Sequence, residues 1–287
     1  MKKFVKALTF TLIGGIAGLS VNAQCVSDKD VEPNFGADEE TAKQKISIYG
    51  TYQNAKNWKD AANAWWNAQE LAPKYKPSMY KNAAYYYKQI AKEVKKADPK
   101  SPRLASITDT LCIIYDRWAE NFGDCHKIDI GKARAIASYQ FSTRYEDVNK
   151  IYKKVIADGK AGAMSVSDLD KYYSSTAYIV KKTKDCELLL NEYEVVTKIA
   201  DNKIAKATEK GDTKSIEGYN KFLVKADKIV DPCASCEKLI EIYKPQIEDD
   251  KENVELIEKV LGKLSKKKCK EPYVLCLLYT SPSPRDA

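Results

Sequence analysis

The chain has 287 residues, 44% of them hydrophobic and 31% charged, and its 48 Lys and Arg exceed its 40 Asp and Glu to give a formal net charge of +8. Three of the surplus charges stand together at Lys2, Lys3 and Lys6 and the rest are spread along the chain, unlike the clustered basic face of a nucleic-acid footprint, so no nucleic-acid partner is expected. The one histidine, His126, excludes a His-rich metal site and argues against a Ser-His-Asp triad.

Residues 1–23 read as a secretory signal: a basic start, an apolar run over 7–19, and the small-residue cleavage pattern Val21-Asn22-Ala23. That run is too short to span a bilayer comfortably, so membrane association, if any, is not expected through a transmembrane helix. Cys25 invites a lipid-anchor reading, but Asn22-Ala23-Gln24 lacks the apolar-then-small residues that precede a lipid-bearing Cys. Export places the mature chain in the periplasm or cell envelope. Residues 24–40 are polar, acidic and punctuated by Gly and Pro, which predicts a flexible leader.

Two helices are expected next, over 41–53 and 58–71, joined by a turn at Asn57. Within IYGTYQNAKNWKDAANAWWNAQELAP, Ile48 and Tyr52 lie on the first helix, while Ala61, Trp65 and Ala68 share the second and Pro73 closes the unit. Small residues one helical face apart let two helices approach closely. The arrangement resembles the tetratricopeptide repeat, W-x2-L-G-x2-Y then A-x3-F then P, with Lys45 and Tyr49 standing where Trp and Gly are expected. The period recurs: Ala83 and Tyr86 follow Tyr49 and Tyr52 by one repeat, on a helix over 78–97 with Ser78 as candidate N-cap. The resemblance implies a concave groove contacted by Lys43, Ile46, Gln53 and Asn54 in the first repeat and by Tyr80, Ala84, Tyr87 and Lys88 in the second. It implies that Tyr52, Ala61, Trp65, Ala68, Pro73, Ala83 and Tyr86 pack between repeats.

Further amphipathic helices are predicted over 104–122, within 125–140, and over 142–157, 167–182, 186–209, 213–228, 236–249 and 253–267. Ser167 and Asp170 form an S-x-x-D start to one of them. No strand-like alternation is present, so the expected fold is all-α: a tetratricopeptide-like solenoid of antiparallel helix hairpins, with repeats over 41–123 and 124–275. Residues 276–287, which include CLLYTSPSPRD, resemble the translation of a sequencing-library adapter. They are set aside, with the natural sequence expected to end near Leu275 and further repeats to be missing.

Two stretches also resemble a family of exported tetratricopeptide-repeat proteins from Bacteroidetes. One is Asp109-Thr110-Leu111, Ile114-Tyr115-Asp116-Arg117 and Phe122-Gly123. The other is Cys236-Glu237-Lys238-Leu239-Ile240, Ile242-Tyr243, Pro245 and Cys269. The resemblance covers most of residues 41–270 and implies fold and compartment but no activity. The family's Gly-rich segment after Phe-Gly is replaced here by Asp124-Cys125-His126-Lys127.

Setting Cys276 aside with the tail, seven cysteines remain, and after an export signal disulfides are the default reading. Cys236 and Cys269 bracket a helix hairpin whose ends meet, which predicts their pairing, and Cys186 is expected to pair with Cys233. Cys112 is read either as a buried thiol or as the partner of Cys125. Cys233-Ala234-Ser235-Cys236 has redox spacing but follows no strand, and zinc held by Cys186, Cys233, Cys236 and Cys269 has poorly paired spacings. His126 reads as a surface loop residue, and the carboxylates as scattered over solvated faces. Function is therefore expected to be scaffolding: binding a protein or peptide, with no catalysis, cofactor, metal or small-molecule substrate. The alternatives are a glycan-binding or envelope-maintenance component, which needs Trp66 and Tyr85 exposed side by side, and a thiol-redox protein using Cys233 and Cys236.

Overall fold

A computed structural model of the chain describes residues 25–249 and 253–270. The expected signal at 1–23 and the tail at 276–287 lie outside the described residues. Among those described, every helix or strand element is helical. The first four α-helices are α1 (Glu39–Asn54), α2 (Trp58–Leu71), α3 (Pro77–Ala97) and α4 (Arg103–Phe122). Then come α5 (His126–Tyr139), α6 (Phe141–Ala157), α7 (Val166–Thr183) and α8 (Cys186–Glu209). The last are α9 (Thr213–Val230), α10 (Cys236–Asp249) and α11 (Val254–Lys266).

Short polar side chains start most of these helices by accepting an otherwise orphaned backbone N–H. Asp38, Asn57, Asp185, Asp212 and Asn253 do so for α1, α2, α8, α9 and α11. For α7 the cap is Ser165, with Asp168 closing a reciprocal box, and not the expected Ser167 and Asp170. Successive helices from α1 to α9 pack side by side, as do α10 and α11, and α7 also touches α5 and α9. Short connections such as Ala55–Asn57 turn the chain back between such neighbours.

Two hydrophobic cores run along the helices. The first joins Trp65, Tyr80, Tyr86, Leu111 and Ile114 across α2, α3 and α4. The second runs from Ile136 and Tyr152 through Tyr172, Tyr173 and Val196 to Val260 and Leu264. Ala61, Ala68 and Ala83 are buried where the repeat pattern expects small residues, and Trp65 and Tyr86 fill the adjoining space. Pro73 lies just past α2, and its carbonyl accepts from Tyr80 Oη at 2.8 Å.

α1 departs from the pattern. Tyr52, expected to pack, is 36% exposed, and Ile48, one turn before it, is 42% exposed. The face that α1 buries carries Ala42 and Tyr49, with Ile46 and Gln53 half-buried. Neighbouring positions on a helix differ by about 100°, so burying 49 and 53 turns 48 and 52 away.

Candidate functional site

The segment before α1, expected as a free leader, is fastened to the helices. Cys25 forms a disulfide with Cys125, the residue before α5, with Cα atoms 5.3 Å apart. The Asp28 carboxylate accepts the backbone N–H of Ser78 at 2.8 Å. α3 begins at Lys76-Pro77 with no side-chain cap of its own, so Ser78 is not the N-cap; the cap comes from fifty residues upstream. Phe35 packs on Tyr75 at 5.1 Å, and Gly36 takes φ +78° with its α-carbon against Leu71, where a Cβ would lie 2.2 Å from the carbonyl oxygen. Only glycine meets both conditions.

Beneath residues 25–28 lies a furrow of about 450 Å³ between α3, α4 and α5. Its walls carry three lysines, Lys81, Lys88 and Lys127, beside Tyr115, Trp118 and Phe122. Asp28, from the leader, is the acid among the lining residues. Lys88 donates to Tyr115 Oη at 2.8 Å with its ammonium over the ring, and Tyr115 and Trp118 stack with centroids 6.4 Å apart. Gly131 of α5 makes room for this ring: a Cβ there would lie 2.7 Å from Tyr115 Cε1. His126 opens α5 and holds Nδ1 4.0 Å from Cys25 Sγ, so it faces the disulfide and is not a free loop residue.

The groove expected from the repeat pattern is not one surface. Tyr80 and Ala84 are buried. Tyr80 Oη accepts from Asn121 at 3.0 Å while donating to Pro73. Tyr87 Oη accepts from Trp66 Nε1 at 2.8 Å. Gln53 accepts from Tyr86 Oη, Lys43 pairs with Glu39 at 2.5 Å, Ile46 is half-buried and Asn54 is exposed at the end of α1. Of the eight, Lys88 alone reaches the furrow. Sequence reading missed Lys81 and Lys127, although Lys81 lies two turns before Lys88 on the same helix face. Nothing local marks Asp28 or Cys25 as partners of α3 and α5.

Cys186–Cys233 and Cys236–Cys269 form as expected, with Cα separations of 5.2 and 5.6 Å. Cys125 pairs with Cys25, leaving Cys112 as a buried thiol whose pKa burial pushes up. Because Cys233 and Cys236 belong to different bridges, they form no redox pair, and neither offers zinc a thiolate. Trp66 is half-buried beside Trp65 and under Arg117, whereas the exposed Tyr85 packs on Trp58. Eight residues of α2, about 12 Å, separate Trp58 from Trp66, so the side-by-side pair required for a glycan platform is not formed.

Among the described residues two carboxylates are buried, against the expectation that all lie on solvated faces. Asp168 accepts from Arg134 Nε at 2.8 Å and Nη2 at 2.5 Å, from Tyr152 Oη at 2.7 Å, and from the Ser165 N–H and hydroxyl at 2.7 Å each. Burial alone would raise its pKa; these donors outweigh that and hold it below the ordinary carboxylate value. Glu192 accepts from Tyr172 Oη and, at 2.9 Å, from Lys153. With every Asp168 oxygen taken by donors from α5, α6 and the start of α7, that group ties helices together and has no lone pair poised for catalysis.

Among the described residues no group of three or more His, Cys, Asp or Glu is placed to hold a metal ion, and no helix is long and apolar enough to cross a membrane. No known protein family and no curated protein matches the chain. Fold and site together define an all-helical, disulfide-bridged protein with a basic, aromatic-walled furrow closed on one side by a segment of its own chain.

Proposed function

We propose that this is an exported tetratricopeptide-like scaffold of the cell envelope. It binds a protein partner through an extended acidic segment laid in the α3–α4–α5 furrow, and it performs no covalent chemistry. The observation that carries the reading is the extended run of residues 25–28 along one side of the furrow, with the Asp28 carboxylate on the Ser78 N–H at the start of α3. A helix N-terminus favours an anion, three lysines surround the rest of the path, and aromatic walls give apolar area beside the charge. Three disulfides support an oxidising compartment. The solenoid and repeat assignment rests on the buried Ala61, Trp65, Ala68, Ala83 and Tyr86 positions.

A displayed peptide library selected against the chain with its Cys25–Cys125 bridge opened tests this. Enrichment of acidic sequences, lost on Lys81→Glu/Lys127→Glu, is the expected result. Enrichment without shared acidity, or unaffected by charge reversal, would refute it.

A further inference from the structure

We propose that the Cys25–Cys125 disulfide is a redox gate on the furrow: closed, it fastens residues 25–28 in the path of an acidic peptide, and opened by a dithiol reductant it lets that peptide displace them. The proposal rests on the peptide-binding reading above and adds its regulation.

Three observations bear on this bridge. First, it fastens a segment that forms one side of a ligand-sized cavity, whereas Cys186–Cys233 and Cys236–Cys269 link helix ends within the second core. Second, Cys125 stands at the N-terminus of α5 between Asp124 and His126, and His126 Nδ1 lies 4.0 Å from Cys25 Sγ. Third, with the bridge open, the 2.8 Å bond from Ser78 N–H to Asp28 is the one hydrogen bond among the described residues that still ties residues 25–28 to α3. An incoming carboxylate offers Ser78 the same bond.

One thiolate of the dithiol attacks the half-exposed Cys25 Sγ, the S–S bond breaks, and Cys125 leaves as a thiolate stabilised by the N-terminus of α5. The second thiol of the reductant then closes on its own mixed-disulfide sulfur and releases Cys25 as a thiolate beside His126. Two electrons and two protons pass to the protein, and the reductant departs as a cyclic disulfide.

The test has two readouts on the full chain. Limited reduction with dithiothreitol, quenched by alkylation and mapped by mass spectrometry, is expected to label Cys25 and Cys125 at least tenfold sooner than the other four bridged cysteines. A fluorescent peptide of residues 26–38 is then titrated into the bridged chain, the selectively opened chain and Cys25→Ser. At least tenfold tighter binding is expected once the bridge is open. If Cys25→Ser does not fold, the selectively opened wild-type chain carries the comparison. Earlier labelling of the other cysteines overturns the gate and leaves the peptide reading standing, as does equal affinity in closed and open chains. Absence of binding in both states at millimolar peptide overturns the gate and the peptide reading together.

Discussion

Replacing Asp168 with Asn keeps the shape of the side chain and removes its charge. The carboxylate is 1% exposed and accepts five hydrogen bonds, two of them from one guanidinium. The amide turns one acceptor into a donor that faces Arg134 or the Ser165 N–H. Breaking a buried ion pair costs about 3–5 kcal/mol. Arg134 is half-exposed and can rehydrate, which puts the expected loss at the lower end, about 3 kcal/mol. For a chain of this size that lowers Tm by about 6–12 °C. Asp170→Asn, which removes only the Lys225 ion pair at the surface, is expected to cost under about 1 kcal/mol. Thermal unfolding by circular dichroism at pH 7 compares the two. The sign of the pH dependence follows from the depressed native pKa of Asp168. Its contribution is complete above the unfolded value of ~3.9 and is lost as pH falls from there through the native value. The gap between wild type and Asp168→Asn should therefore close below about pH 4. Equal losses at 168 and 170, or a gap that widens in acid, would refute the reasoning.

Other substitutions probe the furrow and the bridges. Gly131→Ala forces the Tyr115 ring aside and should cost about 1–3 kcal/mol by denaturant unfolding, with a changed Trp118 emission; unchanged stability would contradict the close approach. Gly36→Ala should loosen residues 25–38 and raise proteolytic cleavage there severalfold while α2 to α9 stay protected. Joint replacement of Cys186 and Cys233 by Ser opens a loop of 47 residues and should lower stability by about 4 kcal/mol in the chain-entropy account. A loss under about 1 kcal/mol would show that the unfolded chain is not constrained by that bridge.

Helix existence and bounds were legible because the chain marks them locally. Asn57, Asp185, Asp212 and Asn253 start helices, and Pro77 opens another at its first position. Cys236–Cys269 was legible because a hairpin brings its own ends together. The face of α1 was not, since a repeat pattern fixes spacing and leaves rotation to whichever neighbours are present. Nor was the Asp168 network: Arg134, Tyr152 and Ser165 come from separate elements, and beside Asp170 the acid at 168 looks like any solvated carboxylate. The Asp28 cap and the Cys25–Cys125 bridge join residues fifty and one hundred positions apart, beyond the reach of local signals. The candidate site consists mostly of such long-range pairs, so the groove drawn from repeat positions caught Lys88 and missed the rest.

The amide resonance of Ser78 tests the account most directly. Adding an acidic peptide to the isotope-labelled, bridge-opened chain should shift Ser78 and its furrow neighbours Lys81, Lys127 and Gly131, and leave α8 to α11 unmoved. Shifts concentrated on α8 to α11, or none at Ser78 under saturating peptide, would contradict the furrow as the binding site.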